Sequence, residues 1–242
     1  MFFHTSPDAL FIPPKTIDPI GYGKVAVVTG CSSGIGLACT QLLLAHQFQV
    51  CGLDAREFNY SLLQECDHGR FHFHRADLTE PRACEDGVYA SISSFGRRID
   101  LLVNVAGVMD SFSSVDGVTN AEWDRVMAVN LTAPVKMMST AGLSGAVAGI
   151  AYTCSKHGLI GATKNVAWRF RHCHGQGDEF DVEAYAQVEP VHALQTHASG
   201  LTPDITPLEV AQAVIYLASD QARTINGPYR FLYYCHPYRG IS

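Results

Sequence analysis

Charge is scarce in this chain, and positive charge scarcer still. Asp, Glu, Lys and Arg make up 17% of the 242 residues, with 17 Lys plus Arg against 23 Asp plus Glu, a formal net charge of −6. That leaves no basic surplus to neutralise phosphates or an anionic bilayer, which argues against a nucleic-acid or membrane partner. The amino terminus lacks a basic leader, and Pro7, Pro13 and Pro14 interrupt its apolar residues, so it does not read as a secretory signal. The eight cysteines (31, 39, 51, 66, 84, 154, 173, 235) lack paired spacing. They read as reduced, intracellular thiols, and the expected location is cytoplasmic. The uncharged stretch between Lys136 and Lys156 is mostly Ala, Gly, Ser and Thr, without the large aliphatic side chains of a membrane span. No internal repeat and no linker divides the chain. Apolar mass is plentiful: 47% of residues are hydrophobic, which excludes a disordered chain and suffices for a sizeable core.

Strand and helix patterns alternate along the chain. Residues 1–23 read as an irregular arm. Val25–Thr29 is a buried-strand run, followed by a glycine-rich turn and a helix from about Gly34 to His46. Strands are expected at Phe48–Leu53, Phe71–His74 and Ile99–Val105, with helices over 59–66, 81–96 and Ala121–Pro134. Ala151–His172 and Pro207–Ala218 are further helices, the second with Thr206 as N-cap and Pro207 in its first turn. This spacing predicts an α/β fold: a Rossmann-like, doubly wound parallel sheet in one domain over 24–227. Residues 228–242 form an aromatic tail.

The turn Thr29-Gly30-Cys31-Ser32-Ser33-Gly34-Ile35-Gly36 lies between a strand and a helix. Glycines at 30, 34 and 36 let backbone approach a pyrophosphate at the positive end of a helix. A glycine turn alone is a weak signal. Asp54 strengthens it by standing 18 residues beyond Gly36 at the end of the second strand, where a carboxylate binds both ribose hydroxyls of an adenosine. The same charge repels a 2′-phosphate and no cation lies in the turn, although Arg56 is close. NAD is therefore favoured over NADP, with NADP kept open. Cys31 sits near a helix N-terminus, a position that can depress a thiol pKa, but the favoured reading is a small residue filling the turn.

Tyr152 and Lys156 are four residues apart in a helix, so they share a face. A free phenol titrates near 10, and a nearby ammonium lowers that value, making the phenol a usable acid or base. Surface Tyr and Lys residues at this spacing are common, so the pair acquires meaning only in company. His72 and His74 share a strand face, and His172 and His174 flank Cys173, but neither set has a second ligand pair of convincing spacing. No metal site is expected.

Taken in order, the glycine turn, Asp77-Leu78, Asn104-Val105-Ala106-Gly107, Asn130 and the Tyr152/Lys156 pair resemble the short-chain dehydrogenase/reductase family. The likeness is strong over about 24–173 and looser over 206–227; its texture is similar to members from fungal secondary metabolism. The resemblance implies an NAD(P)-dependent oxidoreductase acting on a small secondary alcohol or ketone, such as a terpenoid or polyketide intermediate. It implies that Gly30, Ser33, Ile35 and Gly36 wrap the pyrophosphate and nearby ribose, that Asp54 holds the adenosine ribose, and that Asp77 and Leu78 form the adenine pocket. Asn104, Ala106 and Gly107 support the adenosine side. Tyr152 exchanges the proton, Lys156 lowers its pKa and binds the nicotinamide ribose, and Asn130 holds a water of the proton relay. Ser139, 13 residues before Tyr152, polarises the substrate oxygen, with Ser144 as the alternative. Family members commonly form homo-oligomers on the helices carrying Asn130 and Tyr152.

The pattern breaks twice. Only nine residues separate Asn130 from Ser139, too few for the rest of a helix, a loop and a full strand. Pro134 is expected to end the helix, leaving Val135–Met138 as a strand stub; either the crossover is compressed or Ser139 is displaced. Over 173–185 no strand or Pro-Gly turn is visible. Strands near 131–139 and 173–185 are thus expected to be missing or short. The alternative function is a catalytically impaired remnant that binds nucleotide or a protein partner at most.

Overall fold

A computed structural model describes residues 19–96, 99–111, 117–140, 149–169 and 206–222. Most of the amino-terminal arm, the 173–185 segment and the aromatic tail lie outside these residues. The chain divides into two compact units: one comprises residues 1–110, 120–144 and 205–232, the other 111–119, 145–204 and 233–242.

The first unit is built on a parallel sheet. Strands β1 (Val25–Thr29), β2 (Gln49–Asp54), β3 (Phe71–Arg75) and β4 (Leu101–Asn104) lie in the order β3-β2-β1-β4. The central β1 is apolar up to its closing Thr29 because both its faces are covered. Ala26 and Val28 face a core shared with Leu37, Leu43 and Leu44 of α1 (Gly34–Ala45). Val27, between them, faces the opposite core with Cys84 and Val88 of α2 (Ala83–Phe95). Alternation along a strand thus assigns one helix layer to each face. The register sets Thr29 beside Leu53 and Asn104, bringing three strand ends to one edge of the sheet.

The expected helix over 59–66 is instead two short 3₁₀ turns, Tyr60–Leu62 and Glu65–Arg70. They pack rather than propagate: Phe58, Leu62 and Leu63 are buried, and Phe58 contacts the rings of Phe71 and Phe73.

The expected strand stub after Pro134 is a helix. The chain runs from α3 (Asn120–Met127) through a π turn (Ala128–Thr132) into α4 (Ala133–Thr140). The Ala133 N–H bonds the Ala128 carbonyl, five residues back. This wide turn accommodates Pro134, which has no N–H to bond the Asn130 carbonyl in α register. Ala133 and Met137, one helical turn apart, are fully buried in the α2-side core. That i, i+4 stripe holds 133–140 helical, so β4 pairs on its outer edge with no strand among the described residues.

A last helix, α6 (Pro207–Ala218), packs on α1 through Leu208, Ala211, Val214, Ile215 and Ala218. Its start has the expected chemistry. The Thr206 hydroxyl accepts from the Glu209 N–H at 3.3 Å, and the Thr206 N–H donates to Glu209 Oε2 at 2.6 Å. These reciprocal bonds satisfy donors that a helix terminus otherwise leaves unpaired. Thr206→Ala is expected to cost about 1 kcal/mol, read as a fall of about 2–4 °C in Tm. In the second unit the described helix is α5 (Ile150–Arg169).

Candidate functional site

The edge of the sheet where β1, β2 and β4 end carries the glycine turn. The Gly30 and Cys31 N–H groups donate to the Leu53 carbonyl at 2.7 and 3.3 Å, tying the turn to the end of β2. Gly30 has φ +72°, and a Cβ there would lie 2.9 Å from the Ala106 backbone. A Cβ on Gly36 would overlap the Gly30 carbonyl oxygen. Glycine is thus required at both positions by backbone packed on backbone. Gly34 differs: its φ is +53°, but a Cβ there would meet nothing, so its outer side is open.

Thr29 organises the neighbouring strand end. Its buried hydroxyl accepts from the Val105 and Ala106 N–H groups at 3.0 and 3.1 Å. Those donors lie just beyond β4, where they have no strand partner, and the hydroxyl holds the chain against the turn. In the sequence Thr29 is legible only as the first residue of the glycine motif. The signal for its role is a polar residue closing an otherwise apolar strand.

Asp54 sits at the end of β2 with its side chain 10% exposed. Its Oδ2 accepts from the Ser32 N–H at 3.0 Å and its Oδ1 from the Arg56 N–H at 2.9 Å. A carboxylate has about four lone-pair sites, so two hydrogen bonds fix its orientation and leave capacity for hydroxyl donors. The Arg56 guanidinium, 3.9 Å from Oδ1 through Nε, donates to the Ser33 hydroxyl. Ser33 is the N-cap of α1 but makes no side-chain capping bond to it. Asp54, Ser33 and the glycines are therefore brought together, with Arg56 against them. Ile35 is half-buried, packed against the α1-side core.

Burial, followed by the neighbouring Asp54 charge, pushes the Cys31 thiol up to about 12. Desolvation outweighs the helix N-terminus here, and Cys31 is a small buried residue filling the turn.

Asp77, exposed just beyond β3, accepts from the Thr79 N–H at 3.0 Å and the Thr79 hydroxyl at 2.7 Å. These two bonds, the backbone one foremost, hold its carboxyl below the usual range. Leu78 is buried in the core beside Ala76 and Val88. Asn104 is exposed at the end of β4, next to Thr29. Asn130, in the π turn, accepts from the Val108 N–H at 2.8 Å and donates to the Val108 carbonyl at 2.9 Å. Its side chain thus pins the chain after β4, close to Gly107, where a Cβ would lie 3.3 Å from Asn130 Oδ1.

Ser139 lies in α4 of the first unit, and Tyr152 and Lys156 lie four residues apart in α5 of the second. The side chains of these three fall outside the described portion, as does Ser144 altogether. Among the described residues, no group of three or more His, Cys, Asp and Glu gathers to hold a metal, and no helix is long and apolar enough to cross a membrane. His172, Cys173 and His174 lie outside those residues.

A family model described as short chain dehydrogenase matches residues 24–141. The chain is 41% identical over 240 residues to the short-chain dehydrogenase/reductase cdmF of Talaromyces verruculosus, covering 84% of this chain and 93% of that protein. It is 37% identical over 241 residues to the asnovolin H dehydrogenase nvfC of Aspergillus novofumigatus, with 84% and 93% coverage. Among solved structures it is similar to a metagenomic short-chain oxidoreductase in complex with NADP, at 26% identity, 82% and 91% coverage and a TM-score of 0.54.

Proposed function

The chain belongs to the short-chain dehydrogenase/reductase family, and on that premise we propose that it moves hydride between a nicotinamide dinucleotide and a secondary alcohol or ketone of fungal secondary metabolism. The observation that carries this reading is Asp54, anchored by the Ser32 N–H beside the glycine turn. The turn suits a dinucleotide. Gly34 leaves it open on one side, Gly30 and Gly36 bring backbone close, and the Ser33 side chain leaves the first turn of α1 uncapped. Gly30, Ser33, Ile35 and Gly36 would hold the pyrophosphate and nearby ribose, and Asp54 the adenosine diol. Asp77 and Leu78 would border the adenine, and Asn104, Ala106 and Gly107 would support that side.

When bound, the nicotinamide supplies the hydride donor or acceptor. Tyr152 would give a proton to the substrate oxygen or take one from it. Lys156 would favour the phenolate by its charge and bind the nicotinamide ribose. Ser139 would donate a hydrogen bond to the same oxygen as charge develops there. Asn130 would fix the chain after β4 through Val108, with a relay water beside it. NAD remains the favoured cofactor because the Asp54 carboxylate repels a 2′-phosphate, with NADP as the alternative supported by Arg56. We place the enzyme in the cytoplasm, supported by the free thiols of the six described cysteines. We further propose one catalytic domain over 24–227 that self-associates through the helices of Asn130 and Tyr152.

One observation favours a second reading, a binding protein without turnover. Residues 133–140 are helical, so Ser139 stands on a helix rather than at a strand end. The test is hydride transfer itself: loss of reduced-nicotinamide absorbance with NADH or NADPH over a panel of polycyclic ketones. Turnover supports the enzyme; cofactor binding with no turnover on any substrate supports the second reading.

A further inference from the structure

Beside the end of β2, β3 ends in a second arginine that the site above does not use. Arg75 pairs in register with Asp54 on the neighbouring strand. Its Nε donates to the Ala55 carbonyl at 3.0 Å, and its Nη1 meets Glu57 Oε1 at 2.9 Å. The guanidinium thus grips both flanks of Arg56. Arg56 in turn lies on Ser33 and has its N–H on Asp54. Four charged side chains, Asp54, Arg56, Glu57 and Arg75, therefore cluster where β2 and β3 end, and their formal charges cancel.

Resting on the dinucleotide reading above, we propose that Glu57 and Arg75 are specificity-determining residues for the ribose 2′ position. A 2′-hydroxyl needs only an acceptor, which Asp54 provides. A 2′-phosphate brings about two negative charges and needs cations in excess of carboxylates. Arg56 offsets Asp54 alone. Arg75 is the second available cation, and Glu57 neutralises it and holds it against the Ala55–Glu57 loop. Glu57 thus keeps the pocket balanced for the free diol, and Arg75 positions the loop that carries Arg56. Both side chains are well exposed, Glu57 at 72% and Arg75 at 65%. Their pairing contributes little to stability, and their effect lies in where a charge is kept.

The experiment is equilibrium binding of NADH and NADPH to the full chain and to Glu57→Gln, Arg75→Gln and the double variant, at low salt and again at high salt. Glu57→Gln is expected to raise the preference for NADPH over NADH about threefold, and Arg75→Gln to lower it by a similar factor. The double variant should restore the parent ratio, and high salt should compress all the differences. The ratio is the informative quantity, because a merely structural role would weaken both cofactors together. An unchanged or inverted ratio in the single variants, with both cofactors still bound, would overturn the assignment. If the parent chain binds neither cofactor, the dinucleotide reading fails and this inference fails with it.

Discussion

Gly36→Ala is expected to destabilise the protein by several kcal/mol and to remove dinucleotide binding. The added Cβ overlaps the Gly30 carbonyl oxygen and lies 2.6 Å from the carbonyl carbon and 3.2 Å from the Cys31 nitrogen. All three are backbone atoms, and none can rotate away. Nor can the turn retreat: Gly30 is tied to the Leu53 carbonyl, and its other side meets the Ala106 backbone, which Thr29 holds. Three chain segments are stacked there, so relief requires α1 to lift or the turn to open. Overpacking a tight interior typically costs about 1–3 kcal/mol, and clashes against backbone lie at the upper end or beyond. Against a total stability of about 5–15 kcal/mol, that is a large fraction. Gly34→Ala is the control. Its Cβ meets nothing, so it incurs only the left-handed backbone term of about 1–2 kcal/mol. Urea denaturation of both variants, with NADH titration of whatever remains folded, reads the difference. Equal stabilities would mean that the turn is not packed as described.

Tyr152→Phe is expected to lower kcat by about two to four orders of magnitude, the usual worth of a positioned acid or base. Phe keeps the ring and removes only the phenol, so NADH affinity should stay within a few-fold of the parent. A free Tyr titrates near 10 and is mostly protonated at neutral pH. Lys156, one helical turn along α5, is the cation proposed to lower that value. Rates for the oxidation of an alcohol should therefore rise with pH up to the lowered phenol pKa and then level off. Full activity in Tyr152→Phe would remove the phenol from the mechanism. Equal loss of NADH binding would move its role to the cofactor.

Local pattern carried much of this architecture. Val25–Thr29 read as a buried strand because both its faces are apolar, and Thr206 with Pro207 announced α6 through capping chemistry that needs only neighbouring residues. The resemblance to short-chain dehydrogenases rested on a motif order, and the relatives bear it out. What escaped the sequence depends on contacts between distant residues. Val135–Met138 is too short a run to distinguish strand from helix. The choice is made by Ala133 and Met137 packing on the α2 side, and by a π turn that absorbs Pro134. Asn130 gave no sign of its bonds to Val108, 22 residues away, nor Thr29 of its bonds to Val105 and Ala106.

Thermal unfolding with and without NADH and NADPH, on protein of confirmed intact mass, tests the central claim most directly. A ligand held at 100 times its Kd adds about 2.7 kcal/mol, which for a chain of this size raises Tm by about 5–10 °C. The dinucleotide site built from Gly30, Gly36 and Asp54 predicts a shift of that size, larger with NADH than with NADPH at equal concentration. A cooperative transition that neither nucleotide moves would contradict it.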